Sequence, residues 1–131
     1  MLDASAMIAY LRGETGADEV ESRLEDESEP CMVHAINLCE VYYKAVKRSG
    51  VDAAESAVRD LRDQGLVVRE DLDEAFWRSV ASYKASMNHL PLADCFVVAL
   101  ANRLDADALT ADHPDFDPIA EHELCRVTFI R

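Results

Sequence analysis

Between Cys95 and Ala101 the stretch CFVVALA carries no charge. It lies within LPLADCFVVALANRL, residues 90–104, which reads as a helix opening on Pro91 and Asp94 and then turning almost wholly apolar. A helix that is apolar all round belongs in an interior, so the rest of the chain has to be arranged about it. Asp94 stands at the mouth of that helix, where a lone carboxylate is costly to bury. Its position demands a partner.

Around this segment, strand-like and helix-like patterns alternate. Met1–Leu2 is the stub of a strand, and a short helix follows around Ser5–Leu11. Gly13 and Gly16 mark a turn before Ala17, Val20 and Leu24 recur at helical spacing, and the acidic run EDESEP ends that helix. Cys31–His34 is a short strand, Asn37–Arg48 a helix closed by basic residues and Gly50, and Ala54, Ala57, Val58 and Leu61 stripe the next helix. LVVR after Gly65 is a strand. Phe76, Val80, Tyr83 and Met87 line a long helix that stops at Asn88. After the Pro91 helix come a strand near Ala106–Thr110, a loop rich in Asp and Pro, and a last strand at Arg126–Ile130. Strands separated by helices, with no Asn-Gly hairpin signal, imply crossovers. The class is α/β: one three-layer α/β/α domain over residues 1–131, with a mostly parallel central sheet.

With 131 residues, half of them hydrophobic, the chain can bury a real core as a single domain. No stretch approaches a transmembrane helix, and the N-terminus MLDASAMIAYLRGE lacks the basic start and cleavage site of a signal peptide, so a cytoplasmic protein is expected. Cys31, Cys39, Cys95 and Cys125 show no CxxC spacing and read as buried small hydrophobes rather than disulfides or zinc ligands. The net charge is −13, from 26 acids against 13 bases, and the only lysines are Lys44, Lys47 and Lys84. That balance argues against counterion release as the main source of affinity for long nucleic acids. It suits solubility in a salty cytoplasm, where screening tolerates self-repulsion.

In open α/β sheets the ligand site lies beyond the carboxyl ends of the strands. Asp3 follows the first strand stub, and Asp112 follows ALT at the end of a late strand. Glu40 and Asp94 each fall in the first turn of a helix. Each has a plain structural use. Asn37 and Glu40 can form a capping box, and Asp94 can oppose the helix dipole. Asp112 can start the turn in TADHPDFDP, and Asp3 can cap the first helix. All four on one rim is harder to explain that way, because crowded carboxylates repel and raise one another's pKa values. A hard divalent cation, Mg²⁺ or Mn²⁺, resolves the repulsion. Such ions take oxygen ligands, keep waters, and are commonly held by a few carboxylates together with phosphates. An all-carboxylate site of this kind points to phosphodiester chemistry.

The order LDAS, INLCEV, LPLADCFVVALA and LTAD resembles the PIN domain over essentially the whole chain, with LADCFVVALA and LTADHPDF its most specific stretches. The size is similar to that of the single-domain toxins of VapBC-type toxin–antitoxin pairs. The resemblance implies a metal-dependent ribonuclease with Asp3, Glu40, Asp94 and Asp112 as both catalytic and metal-holding residues. It further implies that Ser5 supports the cluster and that Asp115 or Asp117 supplies an outer acid. The partners it implies are an RNA substrate, a small antitoxin encoded alongside, and a possible homodimer. One departure stands out: only Met1 and Leu2 precede Asp3, where the family carries a full apolar strand.

Two other functions compete. A non-catalytic PIN-like module that binds RNA or protein would need no metal. A haloacid-dehalogenase-like phosphotransferase also places an aspartate after its first strand, but it wants a second Asp two residues on, where this chain has Ser5. Arg12, Lys44, Lys47 and Arg48 follow the site-bearing elements and offer a basic rim for RNA, or equally a set of charges complementing a helix C-terminus.

Overall fold

The computed structural model describes residues Met1–Arg131. Its first turn is set by Asp3, which caps α1 (Ala4–Arg12) by accepting from the Ala6 amide, while Gly13 closes that helix in the left-handed conformation. Helix α2 (Ala17–Glu25), strand β1 (Met32–His34), and helices α3 (Ala35–Ser49) and α4 (Val51–Asp63) follow. Then come β2 (Val67–Arg69), α5 (Glu74–Ser86), α6 (Leu92–Leu104), β3 (Ala108–Thr110), α7 (His113–Glu121) and β4 (Val127–Phe129).

Every strand is only three residues long, against a usual five or six or so. Two pairs form, β1 with β2 and β3 with β4, both parallel. Residues 1–3 join them. The Leu2 amide donates to the Met32 carbonyl, the Asp3 amide to Leu109, and the Leu109 amide to Met1. Leu2 and Leu109 form a further parallel bridge. The short stub is therefore sheltered by a neighbour on each side, and the order across the sheet is β2, β1, residues 1–3, β3, β4. The Met1 ammonium is also tied in, donating to the Asp107 carbonyl at 2.6 Å.

Side chains alternate across these strands as period-two geometry requires. Leu2, Val33 and Leu109 enter one buried cluster with Met7, Val20, Val41 and Leu61, from α1 to α4. Met1 and Ala108 enter another with Phe76, Val80, Phe116, Ile119 and the whole run Cys95–Ala101, from α5 to α7. These are the two faces of a three-layer α/β/α domain. The run 95–101 is buried throughout, as its composition demands. No helix is long and apolar enough to cross a membrane.

Three local expectations are corrected. Helix α3 begins at Ala35, not Asn37. His34 is its cap, with Nδ1 accepting from the Ile36 amide at 3.2 Å. The Asn37–Glu40 capping box is therefore absent, and Glu40 lies in the second turn. The Asp- and Pro-rich loop is in fact helix α7: Asp112 caps it, Pro114 falls in the first turn where no amide is needed, and Phe116 and Ile119 bury its inner face. Tertiary burial overrides the cost of Pro118 inside it. Finally, Cys39 is exposed rather than buried, Cys31 and Cys125 are only half-buried, and all four thiols are free.

Candidate active site

Asp3 is 3% exposed and densely supported. Its Oδ1 accepts from the Ala6 amide at 2.8 Å. Ser5 Oγ lies 2.9 and 2.8 Å from its two oxygens, and Thr110 Oγ1 donates to Oδ2 at 2.8 Å. Thr110, fully buried at the end of β3, also accepts from the Asp112 amide at 2.9 Å, and Ser5 Oγ accepts from the Ala111 amide at 2.8 Å. Two hydroxyls thus stitch the end of the first strand stub to the end of β3. Burial still pushes the Asp3 carboxyl up to about 6, against the lowering effect of these donors.

Asp94, in the first turn of α6 and 8% exposed, is pushed up further, to about 8. Burial is the leading cause, followed by the charges of Asp3, Asp115, Glu40 and Asp112. Three elements far apart in sequence, the cap of α1, α3 and the start of α7, therefore bring their acids within electrostatic range of one carboxylate. Glu40 is half-buried on α3 and accepts from Lys44 Nζ at 2.6 Å, one turn along the same helix. Asp112 caps α7, its Oδ1 accepting from the Asp115 amide at 3.2 Å.

The two candidate outer acids part company. Asp115 acts on Asp94 through its charge, and its own carboxyl is raised by burial and by Asp112. Asp117 turns away to His113 Nδ1 at 2.9 Å, on the exposed side of α7. Of the basic rim, Lys44 is engaged by Glu40, Arg12 lies 3.7 Å from Glu14, and Lys47 stacks over the Tyr43 ring. The pairing of Lys44 with Glu40, and the role of Thr110, escaped the sequence reading. Thr110 lies within the LTAD motif, but nothing in spacing alone tells that its hydroxyl reaches Asp3 across 107 residues.

No three His, Cys, Asp or Glu side chains are gathered closely enough to hold an ion as they stand. The donor set nonetheless suits a hard cation. It is all carboxylate oxygen, and one buried member, Asp94, feels the charge of four other acids.

The sequence profile of the PIN domain matches residues 1–121, and the chain belongs to the PIN-domain family. That family consists in general of nucleases, which generally use divalent metal ions. Two solved structures share the fold. One, from Rickettsia felis, is VapBC2 bound to a DNA fragment from its promoter: TM-score 0.74, 11% identity, 98% of this chain and 96% of that one covered. Another is a toxin–antitoxin complex from Klebsiella pneumoniae: TM-score 0.69, 17% identity, with 99% and 96% covered. No curated relative matches the sequence.

Proposed function

We propose that this chain, as one domain over residues 1–131, is a Mg²⁺- or Mn²⁺-dependent endoribonuclease of the cytoplasm and the toxin of a toxin–antitoxin pair. The observation that carries the proposal is Asp94: a buried carboxylate heading an apolar helix, held in the field of Asp3, Glu40 and Asp112. Burying that charge serves no packing purpose, and a divalent cation offsets the cost. Support for a toxin comes from the two fold neighbours, both toxin–antitoxin complexes, and an antitoxin is accordingly the partner proposed here. RNA is the proposed substrate, with homodimerisation open to direct measurement.

In this reading Asp3, Glu40, Asp94 and Asp112 hold the ion. When bound, the ion neutralises charge on the scissile phosphate and lowers the pKa of an attacking water. Ser5, Thr110 and the Ala6 amide fix the Asp3 carboxylate in one orientation. The buried run 95–101 anchors Asp94 against displacement, which matters because small misplacements in such a site are costly in rate. Asp115 adds negative charge beside Asp94, strengthening attraction for a cation.

The test is direct. Purified protein should cleave single-stranded or looped RNA in Mg²⁺ or Mn²⁺ and stop when chelator is added. Cleavage unchanged in chelator would remove the carboxylates from the chemistry. A chain that binds no Mn²⁺ by calorimetry would instead be a PIN-like binding module.

A further inference from the structure

Asn37 is fully buried on α3, and its Nδ2 donates at 3.0 Å to the carbonyl of Ala93 on α6. The carbonyl can only accept, so chemistry fixes which end of the amide faces it. The other end, Oδ1, is the one buried side-chain polar atom in the chain with no hydrogen-bond donor. Native proteins rarely leave such an atom unmatched, since an unmet buried acceptor is destabilising.

Both residues in this contact adjoin acids of the site. Asn37 lies three residues before Glu40, a spacing that makes them neighbours on one helix face. Ala93 immediately precedes Asp94. One side chain therefore ties together, at the point of closest consequence, the two helices that carry Glu40 and Asp94. Two carboxylates gathered in one cluster repel. A rigid link between α3 and α6 keeps that repulsion from spreading the helices.

We propose that Asn37 is a positioning residue for the metal-holding carboxylates: its Nδ2 clamps Ala93 so that Glu40 and Asp94 keep their spacing, and its Oδ1 accepts from a donor brought by the hydrated ion. This rests on the reading of the four acids as a cation site. Mg²⁺ characteristically retains several waters, each a pair of donors, so a hydrated ion brings what the buried oxygen lacks. Residues standing behind metal ligands in this way typically matter 10- to 100-fold or so for affinity.

The experiment uses the full chain and Mn²⁺ as the probe, titrated by calorimetry well below the melting temperature of each variant. Asn37→Ala and the milder Asn37→Ser should bind Mn²⁺ about tenfold or more weakly. Leu38→Ala, a core truncation on the neighbouring position of α3, should lose stability but keep its affinity. In RNA cleavage the Asn37 variants should need more Mn²⁺ for half-maximal rate, with KM for RNA at saturating Mn²⁺ little changed. Unchanged Mn²⁺ affinity in both variants, or an equal loss in Leu38→Ala, overturns the proposal. A measurement on the wild type does not depend on any variant folding. The Asn37 side-chain NH₂ resonances should shift during Mg²⁺ titration and saturate with the binding isotherm, and no shift overturns the proposal. If the wild type binds Mn²⁺ but cleaves no RNA, the nuclease reading fails while Asn37 is still judged by affinity and resonance shift. If it binds no Mn²⁺, both fall together.

Discussion

Lys44 Nζ lies 2.6 Å from Glu40 Oε1, and it is the one cation bonded to any of the four clustered acids. Burial lowers the Lys44 ammonium pKa, but the hydrogen bond and charge of Glu40 outweigh it, and the net shift is upward, with Asp3 contributing. The chain thus supplies one positive charge of its own to a cluster that wants more. Lys44→Met should cost the metal-free protein only a little, up to about 1 kcal/mol, because the pair is partly exposed. It should also raise Mn²⁺ affinity a few-fold, as the ion then meets Glu40 without a competing ammonium. Calorimetry checks this, and weaker binding would mean that Lys44 holds Glu40 in place for the ion.

The raised carboxyls of Asp3 and Asp94 set a pH dependence. Their folded values, about 6 and about 8, lie above the ordinary 3.8, so the folded state keeps protons that the unfolded state has released. The stability they contribute is full below 3.8 and is lost as pH rises through 6 and then 8. Asp71 and Asp73 work the other way: Arg69 and Arg103 hold Asp71 far down, and Arg103 holds Asp73 at about 2, so their contribution fades only in stronger acid. Melting temperature in chelator should therefore peak at about pH 4 to 5 and fall toward pH 8.5, and saturating Mg²⁺ should flatten the alkaline arm. A chelated protein that grows more stable from pH 5 to 8 would contradict this.

Asp94→Asn should abolish cleavage without loss of fold by circular dichroism. Because it removes one charge from a repelling set, its melting temperature in chelator at pH 8 should equal or exceed that of the wild type. An acid serving only the helix dipole would instead lose a few tenths to about 1 kcal/mol. Asp18, exposed in the first turn of α2, is the control: Asp18→Asn should leave cleavage unchanged and show that modest dipole cost.

Thr110→Val preserves shape and deletes the hydroxyl shared by Asp3 and the Asp112 amide. Asp3 then loses a donor that favours its charged form, and the loss should be about 1–3 kcal/mol at pH 8, where Asp3 is ionised. At pH 5 it should be clearly smaller. Urea titrations at the two pH values measure the difference.

Gly16 separates sterics from conformation. Its φ is +90°, and an added Cβ would run into the Ile130 carbonyl, whereas Gly13 at φ +61° has open space. Gly13→Ala should therefore cost about 1 kcal/mol, and Gly16→Ala roughly twice that or more. Equal costs in thermal melts would show that the backbone near Ile130 yields.

Helices were legible where apolar residues recur at helical spacing: α5 and α6 lie close to their expected bounds. Helix α7 was not, because the Asp and Pro that form its cap and first turn are also turn formers, and only the burial of Phe116 and Ile119 decides between them. The start of α3 was hidden because His34 is an uncommon cap. Asp3, Asp94 and Asp112 could be placed on strand ends and helix starts from the chain alone, whereas Glu40 falls one turn deeper in α3 than its spacing suggested. The ties among them could not, since Thr110–Asp3 and Asn37–Ala93 each join residues that only the folded sheet and helix packing bring together.

The stitching of residues 1–3 between β1 and β3 has a consequence for biosynthesis. The strand residues at 1–3 find their partner in β3 only after synthesis has advanced the 107 positions from Asp3 to Thr110. Until then Leu2 lacks one of its neighbours, Asp3 lacks Thr110, and Asp112 has yet to emerge. A chain that ends short of β3 therefore carries Asp3, Glu40 and Asp94 in its sequence without the pocket, and any hydrolytic capacity is withheld until translation has passed Asp112.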